Sequence, residues 1–274
     1  MPPQPDAASA LPARHALALG LLHGPTELLP VSSSGHITLV PFLLGWPYPD
    51  LEPDLRKAFE VALHAGTAAG LLIALRGEVA EAIRDLDRRR LTLLAGSFLP
   101  PAIVGLTLEG PIERRLGTPG SIAAGLVLGS VAMTLADELR PQERTRDDAT
   151  TADALLLGIA QACALMPGTS RGGMTLAAMR ARRFTRPEAS ALSRHVALPV
   201  IAGASVLKGV RLAQRGLPPG MTGRFALGMG ASLVSTLAAA RLVPVERVGA
   251  LWPYAAYRTG LSALTAGRLR ASGR

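Results

Sequence analysis

Six apolar blocks dominate the chain, at positions 59–75, 91–108, 120–136, 189–207, 225–243 and 249–266. Each runs about 17–19 residues, close to the roughly 20 that cross a bilayer as a helix. They are rich in Ala, Gly and Ser, which let helices approach closely in lipid. Arginines collect between the blocks, as in Arg84, Arg88, Arg89 and Arg90 or Arg180, Arg182, Arg183 and Arg186, the loop placement usual in membrane proteins. Shorter apolar runs behave differently. Positions 13–30 are helical in pattern and stop at Pro30, and 32–44 start again after it. Positions 154–166 meet Pro167-Gly-Thr-Ser-Arg-Gly-Gly173 and continue over 174–179. Short, Pro- and Gly-interrupted apolar segments set back to back are the sequence form of a re-entrant hairpin.

The two hairpins belong to an internal repeat. With Pro30 laid on Pro167, an offset of 137, Ser33 falls on Ser170, Ser34 on Arg171, Gly35 on Gly172 and, further on, Gly66 on Gly203. Repeat one then covers about 13–140 and repeat two about 150–270, within one integral-membrane domain spanning 1–274. Each half holds a hairpin and three spans, an odd number, so the second hairpin enters from the opposite face. The expected fold is therefore an all-α polytopic membrane protein with an inverted repeat, six transmembrane helices and two re-entrant helical hairpins meeting near the midplane. Arginine and lysine divide almost evenly between the two faces of this topology, so charge does not orient it. A soluble all-helical protein with a large core is the bland alternative.

Composition supports the membrane reading. Of 274 residues, 49% are hydrophobic and only 18% charged, less charge than a soluble domain carries. The net charge of +9 could suggest nucleic acid, but aromatics are only 4%, too few for a base-stacking platform, and no nucleic-acid partner is expected. The single Cys163 excludes an intrachain disulfide. Residues 1–12, with three prolines in the first five, read as a disordered tail without a cleavable signal.

The candidate chemistry lies at the hairpin tips. Glu27-Leu-Leu-Pro-Val-Ser-Ser-Ser-Gly-His36 holds a carboxylate, three hydroxyls and an imidazole in ten residues. Hydroxyls without partners in hydrocarbon cost several kcal/mol each, so this stretch lines a polar cavity or is a surface loop. Joined tips would share Glu27, Ser32, Ser33, Ser34, His36, Thr169, Ser170 and Arg171. Arg171 is the cation expected at membrane depth, a fork-shaped donor suited to phosphate, with an ion pair between helices as its plainer role. Gly172 and its neighbours let backbone N–H groups approach an anion, and the helices after Ser34 and Gly172 aim their positive ends at it. Ser33 could attack a phosphoryl group once His36 or Glu27 takes its proton; otherwise His36 itself or water is the nucleophile, or His36 caps the following helix. Glu60 and His64 reach the same cavity only if the repeat holds. Trp252, Tyr254 and Tyr257 read as an interfacial belt. Arg194 and His195, charged within an apolar block, call for an acidic neighbour.

The two motifs resemble the signatures of the undecaprenyl-diphosphate phosphatase (bacitracin-resistance) family, and the resemblance covers nearly the whole chain. It implies an integral enzyme of the bacterial plasma membrane, its site opening to the outer face. Such an enzyme removes the terminal phosphate of a C55 polyprenyl diphosphate and so recycles the carrier lipid for cell-wall synthesis. It also implies an active-site group of Glu27, Ser33, His36, Ser170 and Arg171, with catalytic roles for all but Ser170, and a divalent cation, Mg2+ or Ca2+; the reading of the tips themselves adds Ser32, Ser34, Thr169 and Gly172 to Ser170 and Arg171 as phosphate contacts. Two departures stand out. His23 occupies the position four before Glu27 where the family usually has an acidic residue or Gln, so the metal ligands would be Glu27 and His23. Gly172-Gly173 replaces the usual Ser-Gly, with one hydroxyl fewer. A carrier or flippase of the same lipids is the alternative from another class, because inverted repeats meeting at the midplane are also a transporter pattern. A homodimer is compatible with either reading.

Overall fold

A computed structural model of the chain describes residues 10–84, 86–138, 142–242 and 249–273. Among the described residues there are eleven α-helices and no β-strand. The first half holds α1 (Ala13–Leu28), α2 (Ser33–Leu44), α3 (Pro53–Ala74), α4 (Arg76–Arg84), α5 (Arg88–Leu116) and α6 (Pro119–Glu138). The second holds α7 (Thr151–Cys163), α8 (Arg171–Ala181), α9 (Arg186–Arg215), α10 (Thr222–Leu242) and α11 (Trp252–Ala271). Their starts follow local rules. Pro53 opens α3, where a missing N–H costs nothing. Asp87 caps α5 by accepting from the Arg90 amide at 2.7 Å. Thr150 and Asp153 form a capping box at α7.

Helices α3, α5, α6 and α10 are long and apolar enough to cross a membrane. Of the six expected spans, these four meet both conditions. Helices α9 and α11 are long enough, at 30 and 20 residues, but carry charges along their length. The paired helices α1 and α2, and α7 and α8, have 16, 12, 13 and 11 residues. At 1.5 Å per residue they rise only about 16–24 Å, short of a roughly 30 Å hydrocarbon core.

The halves are packed through one another. Helix α1 lies on α10 and α7 on α5; exchanging the halves turns one pairing into the other, and maps the α3–α9 and α6–α11 pairs onto themselves. Glycine makes the contacts close. A Cβ at Gly20 would strike the Gly228 carbonyl, at Gly66 the Met229 carbonyl and at Gly158 the Gly96 carbonyl. Helices touching backbone to backbone in this way gain dispersion contacts that lipid cannot offer them.

The loop arginines are clamps as well as membrane-face charges. Asp137, at the end of α6, accepts from Arg180 Nε at 2.6 Å, Arg186 Nη2 at 2.8 Å and the Leu251 amide at 3.1 Å. Asp153 accepts from Arg144 Nη2 at 2.7 Å and Arg182 Nε at 2.6 Å. Both clamps hold the second short helix pair by its outer ends. Arg194 and His195 find their acid in Glu78 of α4, at 3.4 and 3.8 Å. Ala10 and Leu11, just before α1, are buried in one apolar cluster with Tyr48, Leu51 and Phe59; residues 1–9 of the expected tail lie outside the described residues.

Candidate active site

The two tips are built alike. Ser32 and Ser170 both have positive φ, 75° and 71°, which is rare for residues with a Cβ and costs about 1–3 kcal/mol. Each then caps the next helix: Ser32 Oγ accepts from the Gly35 amide at 3.3 Å, and Ser170 Oγ from the Gly173 amide at 3.2 Å. The caps are 138 residues apart rather than 137, because the second tip has one more residue between its proline and its cap. The structural partner of Arg171 is thus Ser33, and each of the two opens its helix. Their amides, with those of Ser34 and Gly172, lie in the first turn, where helix N–H groups have no helical acceptor.

Glu27, one residue from the end of α1, joins the tips. Its carboxylate is buried, with a side chain 7% exposed. Oε2 accepts the Ser33 hydroxyl, and Oε1 accepts from Arg171 Nη2 in an ion pair. A hydroxyl, its proton acceptor and a guanidinium are therefore hydrogen-bonded in series, from three helices and both halves of the chain. Pro25 sits within α1, where it has no N–H to donate to the carbonyl one turn earlier.

Arg258 of α11 locks the tips together. It is fully buried, and its guanidinium donates to the Pro30 carbonyl at 3.0 Å in the first tip and to the Gly168 and Thr169 carbonyls, at 3.0 and 2.9 Å, in the second. These carbonyls belong to irregular backbone with no helical donors, and an arginine fork satisfies all three. Gly129 of α6 makes room, since a Cβ there would strike both the Thr169 carbonyl and the guanidinium.

His36 is oriented by two bonds. Its Nδ1 donates to the Ser32 carbonyl at 2.7 Å, since a carbonyl only accepts. Nε2 is then the acceptor, and the Tyr257 hydroxyl donates to it at 2.7 Å, with the rings stacked 5.5 Å apart. His36 thus holds the strained Ser32 peptide and faces Tyr257, while the proton acceptor at Ser33 is Glu27. Tyr257, read in sequence as part of an interfacial belt, belongs to the site by its hydroxyl.

The other expected phosphate contacts divide. Ser34 is exposed at the tip and Gly172 lies across from Pro30. The Thr169 hydroxyl donates to the Met166 carbonyl at 2.7 Å, so it serves its own loop. Ser170 caps α8 with its lone pair and keeps its proton free to donate. Beside Glu27 stand His23, one turn earlier on α1, and His64 of α3. Each of the three offers a ligand atom within 4.8 Å of the others. Glu60 turns away, to Lys57 at 3.5 Å.

Helices long and apolar enough to cross a membrane, with a buried, hydrogen-bonded serine–carboxylate–arginine set between two short helix pairs, define an integral membrane protein with a polar internal site. The chain belongs to the family described as Bacitracin resistance protein BacA, whose model matches residues 16–264. An undecaprenyl-diphosphatase of Geobacter sulfurreducens is 39% identical over 258 residues, 89% of this chain and 93% of that protein. Proteins of the same description from Trichlorobacter lovleyi and Chromohalobacter salexigens are 36% and 35% identical, each over 89% of this chain and 92% and 94% of their own length.

Proposed function

We propose that this chain is an undecaprenyl-diphosphate phosphatase, releasing inorganic phosphate from the C55 diphosphate and returning the monophosphate carrier. The observation that carries it is the hydrogen-bonded set Ser33–Glu27–Arg171. Without substrate, Arg171 is held by Glu27. A diphosphate, with more negative charge, draws the guanidinium to its terminal oxygens, and the first-turn amides of α2 and α8 take the remaining ones. Glu27 Oε2 accepts the Ser33 proton as Oγ attacks the terminal phosphorus in line. The bond from that phosphorus to the bridging oxygen breaks, and the lipid monophosphate leaves with the proton from Glu27. Water then attacks the phosphoserine, giving one proton to Glu27. The P–Oγ bond breaks, Ser33 regains a proton and phosphate departs. His36 and Tyr257 position the Ser32 cap beside the nucleophile, and Arg258 fixes the distance between the tips.

The same reading has α9 and α11 complete six spans and makes the two short pairs re-entrant hairpins of an inverted repeat, about 13–140 and 150–270, within one domain. The exchanged helix pairing and the matching serine caps support it. The enzyme then sits in the bacterial plasma membrane with its site opening outward, as the resemblance implies. A homodimer would share the apolar outer face of α5, where Leu99, Ile103 and Leu106 are exposed. Mg2+ and Ca2+, which the resemblance implies, take oxygen ligands, whereas His23, Glu27 and His64 offer two nitrogens and one carboxylate. That fit is poor, and the steps above use only the protein's own groups.

The test is phosphate release by the purified chain in detergent, where transport is impossible. Wild type should release phosphate and, on rapid quench, carry label from the terminal phosphate on Ser33. Ser33→Ala and Arg171→Ala should each lose about a thousandfold or more. A wild-type chain that releases none would favour the lipid carrier instead.

A further inference from the structure

The cluster His23–Glu27–His64 carries an inference about which ion this chain takes; it rests on the site proposed above. We infer that the cluster is a site for a borderline transition-metal ion of the Zn2+ type rather than for Mg2+ or Ca2+.

The hydrogen bonds around His23 fix where its proton sits. The Leu63 carbonyl can only accept, and Ser232 Oγ donates to it at 2.8 Å. Ser232 has then spent its proton, so the Thr67 hydroxyl, 2.6 Å away, donates to Ser232. Thr67 has in turn spent its own, so it accepts from His23 Nδ1 at 2.7 Å. This directional chain, running Nδ1–H to Thr67 to Ser232 to a backbone carbonyl, places the His23 proton on Nδ1 and leaves the lone pair on Nε2. That is the arrangement in metal-binding histidines, whose second nitrogen donates to an outer partner that fixes tautomer and ring orientation.

The other two ligands complete a set. His64 stands edge-on to His23, with ring centroids 4.5 Å apart, and its Nδ1 is 3.8 Å from Glu27 Oε2. Ser33 and Arg171 use two of the roughly four lone-pair positions of the Glu27 carboxylate, so it can still bind an ion. Two imidazoles and one carboxylate are the donors preferred by Zn2+, Co2+ and Fe2+, and Mg2+ dehydrates reluctantly for anything but oxygen. An acidic residue at position 23 would shift the set back toward oxygen.

The experiment measures metal binding without substrate. The full-length chain, stripped with chelator in detergent, is titrated with Zn2+ and Mg2+ by calorimetry and with Co2+ by visible absorption. Zn2+ should bind at about one per chain and at least about 100-fold more tightly than Mg2+. His64→Ala, at a side chain 36% exposed and therefore outside the packed core, should abolish the Co2+ spectrum while the chain stays folded. Thr67→Val should weaken Zn2+ by about 10- to 100-fold through loss of the outer partner. His23→Glu should raise Mg2+ affinity at the expense of Zn2+. Equal Mg2+ and Zn2+ affinity, or a Co2+ spectrum unchanged in His64→Ala, overturns the inference. Tight Zn2+ binding in a chain that releases no phosphate would instead overturn the phosphatase reading and leave the metal assignment standing.

Discussion

Glu27→Gln separates the two roles proposed for Glu27, proton acceptor for Ser33 and counter-charge for Arg171. The glutamine is the same size, and its amide oxygen can still accept one hydrogen bond. It cannot take the Ser33 proton, and it carries no charge for Arg171. Loss of a general base costs about 10²–10⁴ in rate, or about 2.7–5.4 kcal/mol of transition-state stabilisation. Loss of the ion pair acts oppositely on binding. Arg171 no longer has to leave a carboxylate to reach phosphate, and a hydrogen bond to a charged group is worth about 1.5–3 kcal/mol. The expected result is a kcat lower by about 10²–10⁴ with KM unchanged or reduced. Steady-state phosphate release over a range of lipid concentrations in detergent reads both values, and a thermal melt shows that the fold has survived. A Glu27→Gln enzyme within about threefold of wild-type kcat would refute Glu27 as the base. An unchanged kcat with a raised KM would make Glu27 a binding group only.

Two further outcomes follow from the neighbours of this set. Arg258→Met removes the fork from the Pro30, Gly168 and Thr169 carbonyls; leaving buried carbonyls unsatisfied costs about 1–3 kcal/mol each, so the melting temperature should fall and activity vanish together, and an active Arg258→Met chain would show that the tips hold each other without it. Tyr257→Phe removes one hydrogen bond to His36 and keeps the stacked ring, so phosphate release should drop by about 2- to 10-fold, whereas His36→Ala, which also frees the Ser32 carbonyl, should lose far more; equal losses in the two variants would contradict the positioning role.

Much of the site was legible in advance because its residues are polar groups in apolar surroundings. Glu27, Ser33 and Arg171 stand out against blocks of Ala, Leu and Gly, and polar groups at membrane depth are kept where something partners them. Arg258 carried the same signal, one charge within the block at 249–266, but no neighbouring motif marked it. Tyr257 was less accessible to such reasoning: a tyrosine at the end of an apolar block is as expected in an interfacial belt as in a site, and only the place of α11 beside α2 separates the two. The repeat register shows the limit from another side. Small residues match at several offsets, so the prolines suggested 137, while the cap geometry, where each serine accepts from the amide three residues on, sets 138.

The sequence by itself determined the class of the protein: apolar blocks long enough to span, two interrupted short pairs, and reactive groups confined to their tips. Those follow from local rules of length, periodicity and solvation that do not depend on what packs where. Only the tertiary structure decided which group serves which. It gave Ser33 to Glu27 rather than to His36, gave His36 to Tyr257, brought His64 to His23 and set one buried arginine across both tips. These pairings join residues from separate helices, up to 228 positions apart in the case of Arg258 and Pro30, and hydrogen-bond partnership at that separation is fixed by the packing of helices that no local pattern encodes.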